Sequence, residues 1–314
     1  MSPSQNSNHK IQMDAAVAGP LFMLSAALLF TVLNVLIKLL GPAFTVWHIG
    51  FYRFFGSIIM LVLIFGLRRN IFKGVNTRLL IIRGFTGSVA FISLVTAIRL
   101  LPVSTALVIF YAYPAFAAIF AFLIYRERIG KFEVACIAAV ILGVGILFDF
   151  KLIGGLFGQS MALLSAAFAG LTVTLIRSLR EHNGPVIIYL YFCMMGTLVT
   201  LPKFVAHPVF PATPVEWVMI CGIVFTSISA QLLMNQGFFF CKGWEGGVFM
   251  SSEVIFTAIV GIVFLGDPAS TRFWIGGAVV FGSVAMLNRM QATGSRKPVL
   301  TPAAGHTPPS NQAG

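Results

Sequence analysis

Apolar residues dominate this chain in long blocks, and short polar or basic stretches separate them. Windows of about 20 residues, the length a helix needs to cross a hydrocarbon core of roughly 30 Å, fall at 19–39, 44–66, 79–99, 103–125, 131–149, 155–177, 184–203, 215–239, 245–266 and 271–289. The blocks are too long, and too uniformly apolar, for barrel strands of about 9–11 residues with alternating polarity. The pattern predicts an all-α membrane protein with ten transmembrane helices. Residues 1–15 and the Pro-rich stretch after about Ser295 read as disordered tails.

Composition makes lipid the solvent. Of 314 residues, 58% are hydrophobic and 10% charged, against about a quarter charged in soluble domains. A water-facing skin cannot be built from so few charges. The net charge of +12 would suit a nucleic-acid binder in a soluble protein, but here it orients the helices. With the N-terminus inside, fifteen of the 21 Lys and Arg fall at cytoplasmic ends, Arg83 among them, and five at the other side. Arg53 lies within the second segment. This bias places both termini in the cytoplasm of a cell-membrane protein, the inner membrane in a bacterium.

Little else in the sequence carries chemistry. Cys136, Cys193, Cys221 and Cys241 lie in or beside apolar segments without ligand spacing, and read as small hydrophobes. The five His are scattered. Nucleotide-binding, metalloprotease and nucleophile-elbow motifs are missing, so the reading calls for no metal, no cofactor and no nucleic acid. The first segment exceeds a signal peptide's apolar run of 7–15 residues, and Asn34 and Lys38 interrupt it.

A repeat organises the ten segments. Leu24-Ser25-Ala26-Ala27 recurs as Leu164-Ser165-Ala166-Ala167, and the acids Glu127 and Asp267 are again 140 residues apart. Ala139 and Gly143 match Ala278 and Gly282 at an offset of 139. Three matches in order, at nearly one offset, divide the chain into a first repeat at 16–149 and a second at 155–290. Each holds five helices. An odd number makes the second half enter the bilayer from the opposite face, giving two inverted five-helix repeats. That architecture belongs to secondary transporters, with the substrate near the midplane between the halves.

Several motifs now gain meaning: Arg83-Gly84 near the start of the third segment, Leu100-Leu101-Pro102 with Ser104-Thr105-Ala106, Tyr113-Pro114, Glu127, and the pair Ser251-Ser252-Glu253 and Phe264-Leu265-Gly266-Asp267. In these the chain resembles the EamA branch of the drug/metabolite transporter superfamily over about residues 15–290. It departs where Val254 replaces the usual Pro and Asp267 the usual Glu. The resemblance implies a central cavity lined by the first, third, fourth, sixth, eighth and ninth helices, and a metabolite substrate. Amino acids or related metabolites are the class favoured here.

Polar residues within lipid are the candidates for the site. A charge there costs at least about 2.5–3.5 kcal/mol. Glu253, the repeat counterpart of Tyr113, reads as a substrate contact or a proton-coupling carboxylate, or as a structural acid bonded to a neighbouring helix. Arg53 reads either as a binder of a carboxylate or phosphate, or as a clamp between helices. The resemblance favours the clamp. Gln231 and Asn235 are one turn apart and share a face, lining the cavity or bonding another helix. Tyr111 and Tyr113, beside the bend that Pro114 introduces, join the set, and Asn34, Thr172 and Thr174 are weaker candidates. Lys38 and Arg99 are expected to snorkel. Ala-xxx-Gly stripes in the fifth and tenth helices read as close-packing faces, joining the halves or a homodimer. The rival functions are a membrane-embedded enzyme or lipid-handling scaffold, which would need a paired acid and base, and a channel, which would need a continuous polar stripe.

Overall fold

A computed structural model describes residues 3–66, 71–126, 130–147, 155–240 and 249–294. Every regular element among them is helical. They are α1 (Pro3–Leu39), α2 (Val46–Leu61, continued by a π-helical turn to Gly66), α3 (Thr77–Leu100), α4 (Val103–Phe110), α5 (Tyr113–Tyr125), α6 (Lys131–Leu147), α7 (Gly155–Leu179), α8 (Pro185–Ala206), α9 (Pro214–Phe240), α10 (Ser252–Phe264) and α11 (Thr271–Gly294). Seven helical spans are long and apolar enough to cross a membrane, Val103–Tyr125 counting as one. The segments predicted at 131–149, 245–266 and 271–289 appear as shorter apolar helices, Val134–Leu147, Ser252–Phe264 and Thr271–Met286. α1 begins at Pro3, inside the stretch expected to be a disordered tail. The predicted C-terminal tail lies outside the described residues, as do Glu127, Cys241 and Trp244.

The solvent preference is inverted relative to a water-soluble fold. Phe264 is 77% exposed, Val218 71% and Leu142 68%, whereas Glu253, Arg53 and Arg83 are at most 5% exposed. Apolar side chains face outward and charges face inward, as lipid requires.

α1 packs on α9 and α10, α2 on α8, α3 on α7 and α8, α4 and α5 on α7, and α6 on α11. The last contact uses the small-residue stripes. A Cβ on Gly143 would meet Val280 at 2.9 Å, and one on Gly276 would meet the Gly143 carbonyl at 2.8 Å. Gly143 of the first stripe, with Gly276, thus joins helices of the two halves within one chain, whereas Gly282 of the second stripe has nothing within 4 Å of where its Cβ would lie.

The segment read as one helix over 103–125 breaks at Tyr111-Ala112. Pro114 has no N–H, and its ring crowds the carbonyl four residues back, that of Phe110. The chain takes a tighter turn there, with Ala112 N–H donating to Ile109 at 3.1 Å. A second break occurs at Ser251, 140 residues on, without a proline. Val254 N–H donates to Ser251 at 3.2 Å rather than to Met250, which releases the Met250 carbonyl.

Lys38 and Arg99, expected to snorkel, are half-buried and bond to backbone carbonyls. Lys38 Nζ donates to Ile98 and Leu101 carbonyls at 2.8 and 2.7 Å. Arg99 donates to the carbonyls of Ile37, Leu40, Gly41 and Phe44. Each cation thus caps the C-terminal end of the other's helix, where carbonyls lack intrahelical donors. At the start of α4, Ser104 donates from its backbone N–H at 2.9 Å and from its hydroxyl at 2.7 Å to Asp267. This anchors the turn after α10 to the positive end of α4.

Candidate functional site

Among the described residues, two buried polar clusters that join helices of the first and second halves contain Glu253 and Arg53. The first is built on the two helix breaks. Glu253 opens α10 and is 5% exposed. Asn34 Nδ2 in α1 donates to its Oε1 at 2.9 Å. Tyr111, in the turn between α4 and α5, donates to its Oε2 at 2.6 Å. One turn along, Thr31 and Thr257 hydroxyls are 3.2 Å apart. Both oxygens of the carboxyl are therefore bonded by the opposite half of the chain.

Tyr111 also lies 2.8 Å from the Met250 carbonyl that the break released. A phenol has one proton, and here it faces two acceptors. A proton on Glu253 Oε2 resolves the shortage: the carboxyl then donates to Tyr111, and Tyr111 donates to Met250. An ionised carboxylate leaves the two acceptors sharing one hydrogen. The nearby hollow lined by Val108, Tyr111, Ser251 and Val254 is small and partly open, with a cavity volume of about 10 Å³, far below the roughly 300–1,000 Å³ of ordinary ligand clefts.

Of the candidates read from sequence, Glu253, Asn34 and Tyr111 come together. Tyr113 is half-buried and its ring is tilted 60° to that of Tyr111, with centroids 5.7 Å apart. Gln231 and Asn235 do share a flank of α9 and are half-buried. Neither bonds to Glu253 among the described residues, and the buried Oε1 of Gln231 has no hydrogen-bond partner there. Thr174 donates back to Gly170 at 2.9 Å, as helical Thr often does. Thr172 lies 3.0 Å from Thr86 of α3.

Arg53 centres the second cluster, between α2, α3, α8 and α9. Its Nε donates to Ser227 at 2.6 Å, and Ser227 lies 3.1 Å from the Tyr189 hydroxyl, itself 3.2 Å from Ser57. The guanidinium sits 3.8 Å from the ring centre of Phe91 and 5.5 Å from that of Phe192. Arg83 joins it, 4.9 Å from Phe192 and donating to the Ile188 carbonyl at 3.1 Å. Sequence reasoning placed Arg83 at a cytoplasmic end. The structure buries it in α3 at 5% exposure. Its position four residues inside the apolar window at 79–99 was the available signal.

This cluster is incompletely satisfied. Arg53 Nη1 and Arg83 Nε are buried without hydrogen-bond partners, and no carboxylate pairs with either guanidinium among the described residues. A favourable cation–π contact returns about 2 kcal/mol, and an interhelical hydrogen bond about 0.6 on average. Those contributions roughly match the lower figure for one cation in lipid, about 2.5–3.5 kcal/mol, for Arg53 alone. Arg83 has a more distant ring, and each orphaned buried donor adds about 1–3 kcal/mol.

Comparison with known proteins agrees with the fold. The profile of the EamA-like transporter family matches residues 17–148 and again 156–289. The chain is 26% identical over 281 residues to a Pseudomonas aeruginosa protein named Pseudopaline exporter CntI, covering 88% of this chain and 98% of that one. It is 23% identical over 278 residues to the human Solute carrier family 35 member G1, covering 83% and 76%. A solved crystal structure superimposes with a TM-score of 0.60 at 18% identity, over 89% of this chain and 98% of the other, a likeness of fold alone. With its helices apolar on the outside, and two successive profile matches that together span most of the chain, the protein is a multi-pass membrane transporter that belongs to the EamA-like transporter family.

Proposed function

We propose that the chain is a secondary carrier that moves a small metabolite by alternating access between two inverted five-helix halves, 16–149 and 155–290, with Glu253 as the proton-coupling carboxylate. The charge bias and the three shorter apolar helices beside the seven long ones support ten spans with both termini cytoplasmic. The packing is consistent with this. Shifting residue numbers by 140 exchanges the contact of α1 with α9 for that of α7 with α3, and both contacts are present.

The observation that carries the reading is the carboxyl of Glu253 held by Asn34 and Tyr111. A protonated carboxyl completes the chain of donors from Glu253 through Tyr111 to Met250 and lets the halves close. Loss of that proton leaves a charge between them and favours separation. Proton binding is then linked to which arrangement is populated. The relative named as an exporter supports outward movement, and amino acids or related metabolites remain the proposed substrates.

Purified protein in liposomes, given a panel of amino acids and related metabolites with and without a pH gradient, tests this. Saturable uptake with counterflow, accelerated by the gradient, is expected. If folded protein moves no solute, the carrier reading is overturned. Flux without saturation or counterflow makes it a channel.

A further inference from the structure

On the carrier reading above, we propose that Arg53 and Arg83 form the subsite for an anionic oxyacid group of the transported solute, a carboxylate or phosphate. Both guanidinium carbons lie within 5.5 Å of the centre of the Phe192 ring, so they are at most about 10 Å apart. One comes from α2 and one from α3, in the first half, while Tyr189 and Phe192 of α8 and Ser227 of α9 come from the second. An anion bound here would touch both halves, as a substrate in an inverted-repeat carrier does.

The unused donors define the ligand. Arg53 Nη1 and Arg83 Nε are buried and unpaired, in side chains 3% and 5% exposed. Guanidinium donors are fixed in a planar fork that matches two oxygens of one anionic group. The remaining members of the cluster, the Ser57, Tyr189 and Ser227 hydroxyls, can turn to donate to a third oxygen or accept from an ammonium. The Phe54, Phe91 and Phe192 rings around Arg53 exclude water, so an oxyanion there would meet strong, unscreened donors.

The two arginines thus differ from a packing clamp in a way that can be measured. A clamp is used fully in the absence of solute. An anion subsite is completed only when solute arrives, and it discriminates an acid from its amide by leaving the guanidinium donors unmatched.

The test is binding, read separately from transport. Purified full-length protein in neutral detergent is titrated with matched pairs, each an amino or dicarboxylic acid and its neutral amide, and with inorganic phosphate. Its thermal unfolding is followed by intrinsic fluorescence. At least one acid or phosphate should raise the unfolding midpoint, and its amide should be at least tenfold weaker. Arg83→Gln and, independently, Arg53→Lys should each weaken that binding tenfold or more, the second because it keeps charge but loses the fork. If one variant does not fold, the other decides.

Equal stabilisation by acid and amide, no stabilisation by any acid or by phosphate, or unchanged binding in a folded variant would overturn the proposal. Stabilisation by micelles containing phosphatidylglycerol but by no free anion would assign the group to a lipid and also overturn it. Binding with this pattern but no transport in liposomes would instead defeat the carrier reading alone. Transport that treats acid and amide alike would defeat the anion subsite alone.

Discussion

The Glu253 and Arg53 clusters occupy equivalent kinds of places, each between helices of both halves, yet they are finished to different degrees. Around Glu253 both carboxyl oxygens have partners, and the local helix break supplies even the carbonyl that Tyr111 takes up. Around Arg53 and Arg83 two donors are left over. At 3% and 5% exposure, neither arginine reaches bulk solvent for the missing partner. On the proposed reading, a fully partnered acid is a latch that holds this arrangement of helices together. An underpartnered pair of cations is a site kept open for something that the chain itself does not contain.

The largest effect should come from opening the latch without disturbing its shape. Glu253→Gln still accepts through one oxygen but cannot take up or lose the proton. Solute transport in liposomes should fall roughly a hundredfold, the lower scale for removing a proton-transferring group, while expression and folding persist. Any residual transport should no longer respond to a pH gradient. Normal transport with unchanged pH dependence would remove Glu253 from the mechanism and leave it as a structural acid.

Next comes Tyr111→Phe. It deletes the hydroxyl that bonds both Glu253 and the Met250 carbonyl, leaving both groups short of a partner at a cost of about 1–3 kcal/mol for an orphaned group. Transport should drop about tenfold, equivalent to roughly 1.4 kcal/mol of barrier, and the unfolding midpoint should fall. A variant as stable and active as the parent would show that Tyr111 only packs there.

How much of this was readable in advance follows the same division. Length and polarity located the helices, and the repeat of Leu24-Ser25-Ala26-Ala27 at 164–167 supplied the division into halves. Glu253, Asn34 and Tyr111 were recognisable because each is an isolated polar residue in an apolar run. Which of them meet was not, since that depends on the helix breaks. Pro114 announces the first, but the second falls next to Val254, an ordinary helix residue by type. Gln231 and Asn235 show the complementary difficulty. Spacing of four puts them on one face, but only packing against α1, close enough for Gly237 to meet Met23, decides where that face points. Arg83 was hidden by its position near a helix end, where a cation ordinarily reaches water.

The contrast between the clusters can also be measured as stability. Glu253→Leu strands the buried Asn34 amide and should destabilise the fold by about 1–3 kcal/mol. Arg83→Met removes an unpaired buried cation and fills its volume. Such replacements are often neutral or stabilising, so the midpoint of chemical or thermal unfolding should change little or rise. If Arg83→Met proved as damaging as Glu253→Leu, the second cluster would be as complete as the first, and its spare donors would have no claim on a ligand.

The smallest expected effect probes what maintains the breaks. The second half keeps its break with Val254 where the first has Pro114, so proline is not required in principle. Tyr111 bonded to Glu253 and Met250 ties the two breaks together, and these bonds would be lost if α4 and α5 closed into one straight helix. Pro114→Val restores an N–H that could seek the Phe110 carbonyl, and an interior helical Pro costs about 3 kcal/mol relative to Ala. Straightening is thus favoured locally and opposed by the loss of two buried hydrogen bonds, each carrying an orphan penalty of about 1–3 kcal/mol. The two sides nearly cancel, with the tertiary bonds slightly ahead. Pro114→Val should therefore shift the unfolding midpoint by less than about 1 kcal/mol and keep transport within about twofold. The double variant Pro114→Val with Tyr111→Phe should lose more than the sum of the single effects, because the helix is then free to straighten. Additive losses would mean that the break is set locally at Pro114, and that the bonds to Glu253 follow from the bend rather than maintain it.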